Sequence, residues 1–352
     1  MSELRVTFSS DVFAQRVGGV SRYFGQLIRH LPEFGVTARA SAGFHNNQYL
    51  RALPKGSVHG IVLPIKSARL AVHLASRMNV ATNRIWEPRD GIYHPSYYTA
   101  PVPKVRLPTV LTIYDMIHER CPEFFDSSDE TARLKSAWVS RADAVVAISR
   151  STKRDAVELL GIDPSKITVV YPGIETPNEP ASGWPERLGD VVLYVGHRGL
   201  YKNWCTLVGA MSRPNLRGMR LLCFGGGPAR RSEVTLLRDL RMFERTDFVT
   251  GTDAELAWWY RRSSVLAYTS LYEGYGFPPL EAIAHQCPVV CGRNSSLEEM
   301  MIDLATMVDD PLNPEEFGGA IVAAAGARVE GGLTLPNCRE AARRHADLYR
   351  GL

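Results

Sequence analysis

The apolar positions of this chain fall into short runs of four or five residues, separated by longer amphipathic stretches. That alternation reads as repeated strand–helix units around parallel sheets. In the first half, residues 4–8, 110–113, 144–148 and 168–171 are strand candidates. A helix is predicted from 20 to 31, and Ser149 or Ser151 stands where a helix cap belongs. Residues 176–190, TPNEPASGWPERLGD, hold three prolines and two glycines and mark a linker. A second series follows, with strands at 191–195, 221–224, 248–249, 265–268 and 288–291 and a helix at 204–211. Residues 339–349 form a charged amphipathic helix. The expected α/β division is a Rossmann-like domain over 1–175, a linker over 176–190 and a second Rossmann-like domain over 191–335. A C-terminal helix over 336–352 should return to the first domain. Two doubly wound halves should face each other across a cleft at the carboxyl ends of their strands, where such folds bind ligands.

Composition narrows the class. The 352 residues are 45% hydrophobic and 22% charged, ordinary for a globular protein of two domains. No run approaches the roughly 18 uncharged apolar residues that span a bilayer. The opening MSELRVTFSSDVF lacks the apolar centre of a signal peptide, so the expectation is a soluble cytoplasmic protein. Six scattered cysteines suggest reduced core thiols, not a zinc site. The net charge of +4 is too small to argue for nucleic acid. Its distribution is uneven, because no acid lies between Glu33 and Glu87 while Arg39, Arg51, Lys55, Lys66, Arg69, Arg77 and Arg84 do. Within that stretch, 64–78 sets Ile65, Leu70, Val72, Leu74 and Met78 among Lys66, Arg69 and Arg77. One reading is a helix packing its apolar side inward. The other is a peripheral contact with an anionic membrane.

Four segments carry candidate chemistry. Gly18-Gly19 sits between the first strand and first helix, where backbone can approach a phosphate. It lacks the G-x-G-x-x-G pattern, so a nicotinamide cofactor is not indicated. Arg198 and Lys202 flank a loop after the strand at 191–195, where fixed cations would take up the charge of a departing diphosphate. No Asp-x-Asp is present to hold a metal for that task, so no metal is expected. Glu273 to Glu281, EGYGFPPLE, follows the strand at 265–268 with a glycine-rich turn at a helix start. Glu273 at the turn could meet a sugar, and Glu281 inside the helix could bind a diol. A buried carboxylate needs such donors. Tyr114, Asp115, His118 and Glu119 cluster after the strand at 110–113 as a candidate acceptor or catalytic site.

With these segments in this order, the chain resembles family 4 of the retaining GT-B glycosyltransferases nearly end to end. The resemblance implies the GT-B fold, retention of anomeric configuration, and a nucleotide diphosphate sugar as donor with no cofactor. It implies that Arg198 and Lys202 hold the diphosphate, Glu273 the donor sugar and Glu281 the ribose. Backbone at Tyr275, Gly276 and Phe277 would touch phosphate, Gly18-Gly19 would close over it, and Gly251 in Thr250-Gly251-Thr252 would lie beside the base. Many members of the family carry a histidine where this chain has Tyr114, so first-domain catalysis is assigned to Asp115. The segments 115–119, 94–98 and 201–204 are most similar to the mannosyltransferase-like branch of bacterial surface polysaccharide (O-antigen) synthesis. That narrower likeness favours a GDP-sugar over a UDP-sugar, mannose as the hexose, and a saccharide or lipid-linked acceptor. The alternatives are a sugar-nucleotide epimerase or phosphorylase on the same fold, or a non-catalytic nucleotide-sugar-binding subunit.

Overall fold

The computed structural model describes residues 4–63, 65, 68–86, 88–100, 106–175, 190–327, 329 and 334–352. The linker expected over 176–190 therefore lies, except for Asp190, outside the described residues. The chain divides into two compact units, Met1–Gly173 with Pro336–Leu352, and Ile174–Leu335.

The first unit is a parallel sheet. Strands β1 (Leu4–Phe8), β2 (Val36–His45), β3 (Val58–Val62) and β4 (Ile92–His94) pair in the order β3-β2-β1-β4. Strands β5 (Val110–Ile113), β6 (Ala144–Ala147) and β7 (Ile167–Val169) pair in the order β5-β6-β7. A parallel bridge from Tyr93 to Thr109 joins the two sets. Strands β5 and β6 are buried at every position, as a strand covered on both faces must be. Ser149 caps the helix Arg150–Leu160, its side chain accepting from the Thr152 N–H at 3.0 Å.

The C-terminal helix Cys338–Arg350 belongs to this unit and is held by a buried polar network. His345 Nε2 lies 2.8 Å from the Tyr23 hydroxyl, and His94 Nδ1 lies 2.7 Å from the Tyr349 hydroxyl. The second ring nitrogens are also engaged, His345 Nδ1 by the Ala341 carbonyl and His94 Nε2 by Thr112, both at 2.8 Å. Burial lowers His345 to a pKa of about 4, and burial with the nearby His345 ring holds His94 well below its ordinary range.

The helix Ala68–Trp86 departs from the inward-packing expectation. Leu70, Leu74 and Met78 are 51%, 37% and 37% exposed, while Ala75 and Asn79 face inward. The small Ala75 lets the helix approach β2. Asn79 bonds both the N–H and the carbonyl of Phe44, at 2.7 and 3.1 Å, beside a register shift in the β2–β3 pairing.

The second unit has six parallel strands, β8 (Val191–Val195), β9 (Arg220–Phe224), β10 (Thr246–Val249), β11 (Val265–Tyr268), β12 (Val289–Gly292) and β13 (Thr306–Val308). Their order, β10-β9-β8-β11-β12-β13, is that of a Rossmann sheet. The order reverses between β8 and β11, which brings the carboxyl ends of those two strands side by side. Its core gathers Tyr194, Trp204, Leu207, Met211, Leu237 and Phe317 around the sheet. Cysteines 223, 287, 291 and 338 are buried free thiols, but Cys205 is exposed and Cys121 half-buried, which corrects the expectation that all six are core residues.

Candidate active site

The switch point of the second sheet is where Lys202 and Glu273 converge. After β8 the chain turns through Gly196, His197 and a 3-10 turn, Leu200–Lys202. After β11 it runs through Thr269 and Ser270 to Glu273. Two hydrogen bonds tie these loops together, from Leu271 N to the Tyr201 carbonyl at 2.8 Å and from Thr269 Oγ1 to the Lys202 carbonyl at 3.0 Å. The Lys202 ammonium then lies 2.5 Å from Glu273 Oε1, although 71 positions separate them in the chain. The Tyr268 hydroxyl donates to the same carboxylate oxygen at 2.8 Å, and the Lys202 ammonium donates to that hydroxyl at 3.4 Å. Burial works against the Lys202 charge, but Glu273, with Tyr268 and Tyr201, outweighs it and raises the ammonium pKa above its ordinary value. Burial and the Glu273 carboxylate together push the Tyr268 phenol well up, so it stays a donor.

Glu273 is also fixed through its backbone. Its N–H donates to Ser295 Oγ at 2.9 Å, and its carbonyl accepts from Ser296 Oγ at 2.8 Å. Both serines open the helix Ser295–Met301. The turn that follows Glu273 ends at Gly276, whose φ of 94° is left-handed, and the helix Phe277–Ala284 begins there. Pro278 and Pro279 remove two of that helix's first-turn donors. Tyr275 is buried against Phe277, with ring centroids 5.0 Å apart. Glu281 lies buried inside this helix and accepts from the Tyr260 hydroxyl at 3.1 Å. Gly251 follows β10 in a turn closed by a capping box, in which Thr252 accepts from Glu255 N and Glu255 from Thr252 N.

Arg198 stands apart from Lys202. Its side chain is 1% exposed and faces inward, paired with Glu233 at 3.2 Å and stacked 4.7 Å from the Phe248 ring centre. His197, next to it, is exposed. Partial burial and then the charges of Lys202, Arg198 and Arg230 lower its pKa.

In the first unit, Gly18 is the N-cap of the helix Gly19–His30, and its carbonyl accepts from Arg22 N at 2.9 Å and Ser21 Oγ at 3.0 Å. Tyr114 is buried, and its hydroxyl donates to the Ser96 carbonyl at 2.7 Å. Asp115 Oδ1 accepts from Ile117 N at 3.1 Å. Lys135, 1% exposed, reaches the Asp115 carbonyl at 2.9 Å and Glu119 Oε2 at 2.8 Å. The His118 ring stacks on Phe125, with centroids 3.9 Å apart, and its Nε2 lies 3.7 Å from Asp129. Two buried atoms on this turn, His118 Nδ1 and Glu119 Oε1, have no hydrogen-bond partner among the described residues. Buried polar atoms in that state ask for a ligand or water. Sequence reasoning missed Lys135, Tyr268, Ser295, Ser296 and Glu233. Each lies in a strand, helix or turn whose pattern carries no functional mark.

Two family models match the chain. Residues 17–177 match Glycosyltransferase Family 4, and residues 189–326 match Glycosyl transferases group 1. Two Rossmann-like parallel sheets under two glycosyltransferase models are the GT-B fold. The chain carries a Glycosyltransferase Family 4 segment followed by a Glycosyl transferases group 1 segment. It is 32% identical over 240 residues to a D-inositol 3-phosphate glycosyltransferase of Xylanimonas cellulosilytica, covering 60% of this chain and 57% of that relative. It is 23% identical over 354 residues to the O-antigen chain mannosyltransferase B of Escherichia coli, covering 91% and 90% of the two chains. Among solved structures, sucrose-phosphate synthase from Thermosynechococcus elongatus superposes with a TM-score of 0.75 at 20% identity, covering 99% of this chain and 98% of that one.

Proposed function

We propose that the chain moves a hexose, mannose from GDP-mannose, onto a saccharide or lipid-linked acceptor in bacterial surface polysaccharide assembly. Configuration is retained, and neither a metal nor a cofactor is required. The observation that carries this reading is the Lys202–Glu273–Tyr268 cluster at the switch point of the second sheet. A nucleotide diphosphate placed there meets a permanently charged ammonium. As the bond between the sugar's anomeric carbon and the phosphate oxygen breaks, its electron pair goes to the phosphate and Lys202 offsets the new charge. Glu273, held by Lys202, Tyr268 and Ser295, is a fixed carboxylate for the sugar, where positive charge develops. Glu281 takes the ribose diol. The acceptor hydroxyl bonds to the anomeric carbon, and its proton leaves to the departing phosphate oxygen. Asp115, with His118 Nδ1 and Glu119 Oε1 beside it, receives the acceptor.

The near full-length likeness to an O-antigen mannosyltransferase supports the mannosyl choice, because the inositol-phosphate relatives match over a shorter span. The exposed Leu70, Leu74 and Met78, one helical turn apart and in the same segment as Lys66, Arg69 and Arg77, support a reversible contact with an anionic cytoplasmic membrane surface. A product assay tests the activity, since transfer alone yields both free nucleoside diphosphate and a lengthened acceptor. Epimerised donor, or product only when inorganic phosphate is supplied, would overturn it.

A further inference from the structure

The guanidinium of Arg198 has five N–H donors, and the interior of the second unit uses nearly all of them. Nε reaches Glu233 at 3.2 Å and Nη1 the Gly225 carbonyl at 3.0 Å. Nη2 faces the carbonyls of Gly226, Gly227 and Pro228 at 3.4, 2.9 and 3.0 Å. The turn it grips is unusual, because Gly225, Gly226 and Gly227 all have left-handed φ, at 88°, 70° and 72°. A side chain at 226 would meet Arg198 Nη1 at 2.8 Å and the Gly196 carbonyl at 2.9 Å. Glu233 closes the far side by accepting from Arg230 N at 2.8 Å. In a trans peptide the carbonyl and the next N–H point in opposite directions. Carbonyls of 225 and 226 aimed at Arg198 therefore aim the N–H groups of Gly226 and Gly227 away from it. Neither N–H has a partner among the described residues, whereas Gly225 N is used by the Val249 carbonyl at 2.8 Å. Two consecutive free N–H groups in a turn make an anion-binding concavity. This one lies at the carboxyl end of β9, the strand beside β8 and its Lys202 loop.

We infer that Arg198 is a positioning residue that never touches the donor: it folds the 225–228 turn so that the Gly226 and Gly227 N–H groups receive a donor phosphate. This rests on the nucleotide-sugar reading above and replaces the direct Arg198–diphosphate contact that the family resemblance implies. A direct contact needs a guanidinium free to meet an anion, and this one is enclosed by carbonyl oxygens, which repel anions.

The test measures the affinity of the full chain for GDP and UDP, and for the nucleoside of whichever binds, in wild type, Arg198→Lys, Arg198→Ala, Glu233→Gln and the Arg198→Ala/Glu233→Gln double variant. A lysine keeps the charge but cannot bridge four carbonyls, so Arg198→Lys should lose diphosphate affinity as fully as Arg198→Ala, by about tenfold or more for a displaced contact. Glu233→Gln should weaken the diphosphate in the same direction, and the double variant should be no worse than Arg198→Ala. The ratio of diphosphate to nucleoside affinity should fall in every variant, which a general loosening of the fold would not produce. Near wild-type diphosphate affinity in Arg198→Lys, or unchanged or tighter binding in Glu233→Gln, would overturn the inference while leaving the nucleotide-sugar reading intact. If wild type binds neither diphosphate, both fall together.

Discussion

The charged residues of the two units are employed differently. In the second unit, Lys202 and Glu273 come from loops 71 positions apart and meet at 2.5 Å with Tyr268 beside them. Neither charge is needed to start or end a helix. In the first unit, Asp115 bonds the N–H two residues on, Tyr114 is tied to Ser96, and Glu119 is tied to the buried Lys135. The same residue types thus form a cross-loop cluster in one unit, while in the other Asp115 closes a local turn and Tyr114 and Glu119 are anchored to neighbouring elements. A cluster assembled across loops at a strand switch point is a costly arrangement without a ligand, whereas a cap explains itself locally. That difference makes the donor half the firmer part of the functional reading, and the first unit's share rests on two unpartnered atoms, His118 Nδ1 and Glu119 Oε1.

The largest effects should fall on the cross-loop pair. Lys202→Ala and Glu273→Gln should each lower turnover by about 100-fold or more while circular dichroism stays unchanged. Wild-type rates in either would dissolve the contrast from the donor side. Asp115→Asn comes next. Asparagine keeps the side-chain oxygen that accepts from Ile117 N, so melting should be unchanged while turnover falls about tenfold. Unchanged turnover would make Asp115 a cap and nothing more. Glu281→Gln sharpens the donor half, because it should weaken nucleotide binding by about 1.5 kcal/mol with turnover at saturating donor nearly kept. The smallest effect concerns folding in the first unit. His94 and His345 are neutral when folded and have ordinary values near 6.5 when unfolded, so unfolding takes up protons in acid. Their stabilisation is complete above about pH 6.5 and declines as pH falls from there toward 4, by up to about 1.4 kcal/mol per unit for each ring. Denaturant midpoints across that window measure the slope, and replacing His345 by Gln should flatten it.

Much of the fold was legible in the chain. Strands β5, β8 and β11 coincide with their apolar runs because each is buried at every position, and β1, LRVTF, is legible from its alternation, with Val6 and Phe8 buried. Strands β2, β3, β4 and β13 gave no such signal. β2 holds three alanines among its ten residues, alternating with Thr37, Arg39, Ser41 and Gly43, β3 is an edge strand exposed over most of its length, and β4 and β13 have three residues each. The site was legible where charge follows a strand, as at Lys202, Asp115 and Glu273. It was not legible where a residue acts on a distant partner. Tyr268 reads as the last apolar position of a strand, Lys135 as a surface residue of a helix, and Glu233 as the third residue of a helix. Arg198 carries the same lesson, since position beside Lys202 suggested a shared role and only the three-dimensional packing turns its side chain inward.

The most direct test of the central claim is calorimetric titration of the full chain with GDP in the presence of a chelator, run in parallel on wild type and Lys202→Ala. The account predicts saturable binding without a divalent metal in wild type, and binding weakened by about tenfold or more in the variant. Equal affinity in the two proteins, or binding that appears only when magnesium or manganese is restored, would contradict it.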